Sequence, residues 1–221
     1  EVITLQDHQE HALEKAEIII KSGGSIAVPT DTVYGIVGDA TQAKTVERLF
    51  ALKARPKEKA FPVFVRDIAM ARWFAYISDA KARILGRVWP GPLTVIFHHK
   101  EKLPSVLTAG NNTIALRMPN HPFILSLLAR TDVPLVQSSA NISGLPAAKN
   151  SRDIIASFAD QKEKPDLVID GGEIAGLPST IIDFTTHQPR LVRSGMMTKG
   201  DIVSFFQNIS DAKLKYSIDL S

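Results

Sequence analysis

The 221 residues carry 26 Lys and Arg against 23 Asp and Glu, a net charge of +3, with 44% hydrophobic and 22% charged residues. These are ordinary globular values; they exclude disorder and collagen-like repeats, and a chain this long buries roughly 70% of its unfolded surface without a disulfide or metal staple. The absence of cysteine excludes disulfides, thiolate nucleophiles, zinc fingers and iron–sulfur clusters. No apolar stretch approaches the ~20 residues a membrane-spanning helix needs, and no secretory signal is visible, so no membrane association and a cytoplasmic location are expected.

Periodicity gives the elements in order. Gln6 to Ser22 predicts an amphipathic helix stopped by Gly23-Gly24, followed by a strand from Ser25 to Val28 closed by Pro29. Gln42 to Ala54 is a second helix with Val46, Leu49 and Phe50 on one face, and Pro56 ends it. A strand from Pro62 to Val65 precedes helices at Ile68 to Ala75 and Asp79 to Val88, then a rigid Trp89-Pro90-Gly91-Pro92 turn. Strands follow at Leu93 to Phe97 and Thr113 to Arg117, a helix at Pro122 to Ala129 and a strand at Leu135 to Gln137. Then come a helix at Arg152 to Ala159, a strand at Leu167 to Ile169, paired strands at Ile181 to Phe184 and Leu191 to Arg193, and a helix from Lys199 to Asn208. This alternation predicts a single α/β domain, residues 1–212, built on a twisted mixed open sheet flanked by helices, with residues 213–221 as a frayed tail.

Charge is clustered: from Lys44 to Lys59 there are six cations and two acids, a local +4 that exceeds the net charge of the whole chain. Such a cluster suits a phosphate site or a polyanion-facing patch, or else a solvated helix end. Lys53 shares the apolar face of its helix, where a bare ammonium is costly without an anion to meet. Arg55 follows at the helix end, and an ammonium beside a forked guanidinium suits a triphosphate; the dipole at a helix C-terminus would also favour the pair.

Polar clusters sit where strands end, the usual ligand position in open α/β sheets. They are Pro29-Thr30-Asp31-Thr32-Val33-Tyr34-Gly35, Gln137-Ser138-Ser139-Ala140-Asn141-Ile142-Ser143-Gly144, Gly171-Gly172 with Pro178-Ser179-Thr180, Arg193-Ser194-Gly195, and Arg117-Met118-Pro119. Each alone reads equally well as an ordinary polar turn. The standard phosphate-loop, dinucleotide, nucleophile-elbow and zinc-protease signatures are absent. His8, His11, His98 and His99 read as surface histidines; no metal held by protein side chains is expected, and Mg²⁺ would arrive on a nucleotide.

Taken together and in this order, with Lys53-Ala54-Arg55-Pro56, Trp89 to Thr94 and Ile114 to Pro119, these segments resemble the YrdC/TsaC family, the threonylcarbamoyl-AMP synthases. The resemblance runs from about Ser22 to Gly195 and implies a YrdC-like fold with a large basic concave face. It implies adenylyl transfer: L-threonine, bicarbonate and ATP give threonylcarbamoyl-AMP and pyrophosphate, with Mg²⁺ accompanying ATP and no organic cofactor. The product would pass to a threonylcarbamoyl-transferase complex acting on the adenosine next to the anticodon of tRNA. By the same resemblance Lys53, Arg55, Ser139, Asn141, Ser179 and Arg193 bind ATP, with Lys53 and Arg55 also catalytic. Thr30, Thr32, Tyr34 and Arg117 line the threonine pocket. Arg66 stands where many relatives carry His, which would alter that pocket if the His touches substrate. Two other readings fit the composition: a non-catalytic protein binding tRNA or double-stranded RNA, and a paralogue adenylating a different carbamate.

Overall fold

The computed structural model describes residues 1–208 together with 218 and 219. Among these residues ten strands form one mixed sheet. In chain order they are β1 (Val2–Thr4), β2 (Ser25–Val28), β3 (Gly35–Asp39), β4 (Val63–Phe64), β5 (Leu93–His98), β6 (Thr113–Arg117), β7 (Leu135–Ser139), β8 (Leu167–Asp170), β9 (Thr180–Asp183) and β10 (Arg190–Arg193). Their spatial order is β1-β8-β2-β3-β7-β4-β6-β5-β9-β10. The helices are α1 (Leu5–Lys21), α2 (Ala43–Lys53), α3 (Ile68–Phe74), α4 (Asp79–Leu85), α5 (Pro122–Thr131), α6 (Ser151–Phe158) and α7 (Lys199–Asn208). The expected α/β architecture with a mixed sheet is the one observed.

Two strands were not anticipated. β1 is only three residues long and pairs in parallel with β8. β3 reads Gly-Ile-Val-Gly-Asp, and two glycines hide its strand character. Gly38 has a packing reason: a Cβ there would lie 2.6 Å from the Thr45 methyl, so α2 rests directly on the strand. Of the expected tail, residues 213–217, 220 and 221 lie outside the described residues. Asp219 bridges the edge of β10, donating its N–H to Pro189 O and accepting from Leu191 N, both at 2.8 Å.

The sheet buries apolar side chains on both faces. One face packs α1 and α5 through Leu13, Ala16, Ile20, Phe123 and Leu127 against Ile26, Val28 and Val37. The other packs Val46, Leu49, Ile84 and Phe158 against Ile36, Val95, Leu116 and Ile182. Side chains alternate along a strand. Val95 and Phe97 therefore enter that second core, while Thr94 and Ile96 of β5 and Thr113, Ala115 and Arg117 of β6 point to the opposite face, where they line a cavity.

Candidate active site

Strand register gathers the scattered motifs. Pairing of β3 with β7 sets Gly35 opposite Ser139, so the loops before β3 and after β7 leave the sheet side by side, with Ala140 N–H donating to Tyr34 O at 2.7 Å. Pairing of β5 with β9 sets Leu93 opposite Thr180, which brings the Thr94 and Ser179 hydroxyl oxygens to 2.8 Å. Between these loops lies a cavity of about 490 Å³. Seven of the ten expected site residues line it: Thr32, Arg55, Arg117, Ser139, Asn141, Ser179 and Arg193. Its wall contains three arginines and no Asp or Glu among the described residues, so its field favours anions.

Arg117 commands one end. It is 2% exposed. Its Nε donates to Gly91 O at 3.0 Å, Nη1 to Thr32 Oγ1 at 3.0 Å and Nη2 to Asp31 Oδ1 at 2.5 Å. Burial pulls its pKa down, and the Asp31 carboxylate behind it acts in the opposite direction. A guanidinium has five N–H groups. Three are spent on holding it, and one on each Nη is left for a bidentate partner such as a carboxylate. The neighbouring hydroxyls have a fixed direction. Thr30 Oγ1 donates to Val33 O at 2.7 Å and accepts from the Thr32 and Val33 N–H groups, so the proton between the two threonine oxygens, 3.0 Å apart, belongs to Thr32. Thr32 Oγ1 thus donates inward, accepts from Arg117, and keeps one lone pair for a ligand N–H or O–H.

The other end is built by the C-terminus of α2. Ala54 takes a left-handed conformation (φ 46°), and Arg55 N–H closes the helix end on Phe50 O at 3.0 Å. An L-residue pays about 1–2 kcal/mol for that conformation. The turn sends Lys53 and Arg55 in different directions. Arg55 faces the cavity; its Nε and Nη2 donate to Lys59 O and Ala60 O, both at 2.9 Å, and its guanidinium sits 4.8 Å from the Phe61 ring centroid. Across the cavity Arg193 Nη2 donates to Ser179 O at 2.8 Å. Burial lowers the pKa of both arginines.

Lys53 is placed differently from the expectation that it meets phosphate. It is 1% exposed, and its ammonium donates to Ser139 O (2.5 Å), Asn141 O (2.7 Å) and Asn141 Oδ1 (3.2 Å). The anion its buried position demanded is replaced by three converging oxygens. Burial, aided by the Arg55 charge, pushes its pKa down to about 7. Ser139 and Asn141 line the cavity, but their side chains serve the same turn: Ser139 Oγ donates to Asn141 Oδ1 at 2.6 Å, and Asn141 Nδ2 donates to Ile142 O and Leu145 O.

Tyr34 and Thr30 are likewise supports and do not line the cavity. Tyr34 is fully buried; its hydroxyl donates to Gly172 O at 2.7 Å and accepts from Gly171 N at 2.9 Å. It anchors the segment running to Pro178 and Ser179. Arg66 lies outside the cavity too, spending its guanidinium on Asp67 and Asp132. The basic cluster is divided: Arg48 pairs with Glu163 and Asp166, Lys53 is buried, and Arg55 faces the cavity. Sequence reasoning missed Asp31 as the anchor of Arg117 and Thr94 as a wall residue. The alternation of β5 was the signal for Thr94; nothing local marks Asp31.

The model of the Sua5/YciO/YrdC family, described as telomere recombination, matches residues 18–195. The chain is 35% identical over 189 residues to the threonylcarbamoyl-AMP synthase of Pyrococcus abyssi, covering 85% of this chain and 55% of that protein. It is also 35% identical to the threonylcarbamoyl-AMP synthase of Pseudomonas aeruginosa, covering 77% of this chain and 91% of that protein. The crystal structure of P. abyssi Sua5 complexed with L-threonine superimposes with a TM-score of 0.86 at 30% identity, covering 98% of this chain and 61% of that one. The chain thus spans about half the length of the archaeal relative. With the fold, the cavity and these matches in agreement, the chain belongs to the Sua5/YciO/YrdC family.

Proposed function

We propose that this chain forms threonylcarbamoyl-AMP from L-threonine, bicarbonate and ATP. The observation that carries the reading is one cavity walled by Arg117, Arg55 and Arg193 without a facing carboxylate among the described residues. The Arg117 end is organised for an amino acid: two free N–H groups meet its carboxylate, and the remaining Thr32 lone pair takes an N–H or O–H. The L-threonine in the P. abyssi Sua5 complex supports threonine as that amino acid. Arg55 and Arg193, on facing walls of the cavity, suit the phosphates of ATP.

The reaction balances without a strong general base. The threonine amine and bicarbonate give an N-carboxylate (carbamate) and water. A carbamate oxygen attacks the α-phosphorus as the bond to pyrophosphate breaks, and pyrophosphate leaves with the bonding pair. The nucleophile is already anionic, so the protein contributes alignment and charge stabilisation. Arg55 and Arg193 would offset charge on the α-phosphate and leaving group, and Lys53 would hold the Ser139–Asn141 turn that shapes their surroundings. The wall offers no carboxylate for Mg²⁺, so any Mg²⁺ is proposed to be carried by the ATP phosphates, and no step is assigned to it. By the same reading the product serves tRNA threonylcarbamoylation through a partner transferase in the cytoplasm. No helix of the described residues is long and apolar enough to cross a membrane.

The test is mass spectrometry of the product formed with ATP, L-threonine and ¹³C-bicarbonate. An adenylate carrying both threonine and the label is expected. An adenylate of unlabelled carbon, or none, overturns the reading.

A further inference from the structure

Two buried polar atoms of the segments that carry Asp31 and Arg117 have no hydrogen-bond partner in the structure: Asp31 Oδ2 and His121 Nδ1. They belong to adjoining pieces of the site. Asp31 spends only Oδ1 on Arg117, at 2.5 Å. His121 follows Arg117 by four residues, just past the Met118-Pro119 turn, at the start of α5. The turn is pinned on both sides, with Gly91 N–H donating to Met118 O and Val65 N–H to Arg117 O, both at 2.9 Å. A buried carboxylate oxygen and a buried imidazole nitrogen left idle beside one ion pair are each costly.

We propose that His121 is a positioning residue that couples docking of a substrate carboxylate on Arg117 to the uptake of one proton, its protonated Nδ1 donating to Asp31 Oδ2. The inference rests on the amino-acid reading of the Arg117 end. In the free site the Asp31 carboxylate is paired with the Arg117 guanidinium. A docked carboxylate shares that guanidinium and adds a negative charge beside Asp31. A proton taken from solvent onto His121 offsets the added charge and fills both idle positions at once.

The charges around His121 are few. Asp31, from the loop after β2, is the charged group acting on it; Arg117, on β6, is paired with Asp31, and Arg193 of β10 acts on Arg117. Burial holds His121 below the ordinary histidine range, and Asp31 opposes that. His121 is therefore neutral near pH 7 in the free site, with the attraction needed for protonation already in place.

Isothermal titration of the full chain with L-threonine, in buffers of differing ionisation enthalpy, measures the uptake. The expected result is an uptake approaching one proton near pH 7, with threonine affinity weakening by up to tenfold per pH unit between the free-state and the bound-state pKa of His121 and levelling off above the latter. In His121→Gln the uptake disappears and the affinity becomes flat with pH. NMR titration of the histidine rings supplies a second measurement that needs no ligand. Asp31→Asn should lower the His121 titration further, and L-threonine should raise it in the unmodified chain. Threonine binding with no buffer-dependent heat, uptake that persists in His121→Gln, or a His121 titration indifferent to Asp31→Asn overturns the proposal. A chain that binds no L-threonine at all overturns the functional reading instead.

Discussion

Lys53→Met removes the buried ammonium and keeps most of its volume. Three oxygens, Ser139 O, Asn141 O and Asn141 Oδ1, then lose donors at 2.5, 2.7 and 3.2 Å. A buried acceptor left without a partner costs about 1–3 kcal/mol. The variant also sheds the cost of burying a charge, a cost visible in the fall of the Lys53 pKa from 10.5 to about 7. These terms oppose one another, so the net loss is about 1–3 kcal/mol, or a melting point lower by roughly 2–12 °C in a chain this size. Activity should suffer more, because the turn that presents Ser139 and Asn141 beside Arg55 is no longer pinned. Pyrophosphate release should fall by about 10²-fold, the scale of one lost charge-stabilising donor. The pH dependence of stability follows with a definite sign. Between pH 7 and 10.5 the unfolded chain keeps the Lys53 proton and the folded chain has released it, so stability rises with pH across that window and the variant lacks the rise. Urea midpoints at pH 7 and 9, with turnover measured on the same samples, decide the matter. Full turnover in Lys53→Met would refute the reasoning.

Arg117→Gln should raise the KM for L-threonine about 10²-fold and cost about 3–5 kcal/mol by stranding the buried Asp31 charge; adding Asp31→Asn should recover most of the stability and none of the activity, as denaturation and kinetics of the pair will show. Tyr34→Phe leaves Gly172 O and Gly171 N unpaired, so it should cost about 1–3 kcal/mol in thermal unfolding while changing the threonine KM less than Thr32→Val does. Gly176→Ala would place a Cβ 1.8 Å from Thr32 O, so it should displace Thr32 and raise the threonine KM at least tenfold, read from initial rates. Ala54→Gly relieves the left-handed conformation at the end of α2 and should raise stability by about 1 kcal/mol in a thermal melt without loss of turnover.

Much of this molecule is legible in its sequence because its elements obey simple periods. α2 carries Val46, Leu49 and Phe50 on one face, and β5 alternates Thr94 and Ile96 against Val95 and Phe97, so each could be placed by pattern alone. β3 escaped because it carries two glycines, and one of them, Gly38, serves the close approach of α2, a tertiary demand that erases local strand propensity. The motifs were visible as polar runs at strand ends, and the register of β3 on β7 explains why two of them, a hundred residues apart, share a cavity. Composition could not say which member of a motif faces the ligand. Lys53 and Arg55 differ by a single left-handed residue, and that turn sends one inward to carbonyl oxygens and the other to the cavity. Tyr34 and Thr30 are consumed by the scaffold for the same kind of reason: a buried hydroxyl must be satisfied, and the nearest groups were backbone.

The most direct test of the account follows pyrophosphate release from ATP and Mg²⁺ with L-threonine and bicarbonate added singly and together. The account predicts release only when both are present, with an adenylate of threonine formed in equal amount. Release that ignores threonine, or ATP binding without release under any combination, would contradict it.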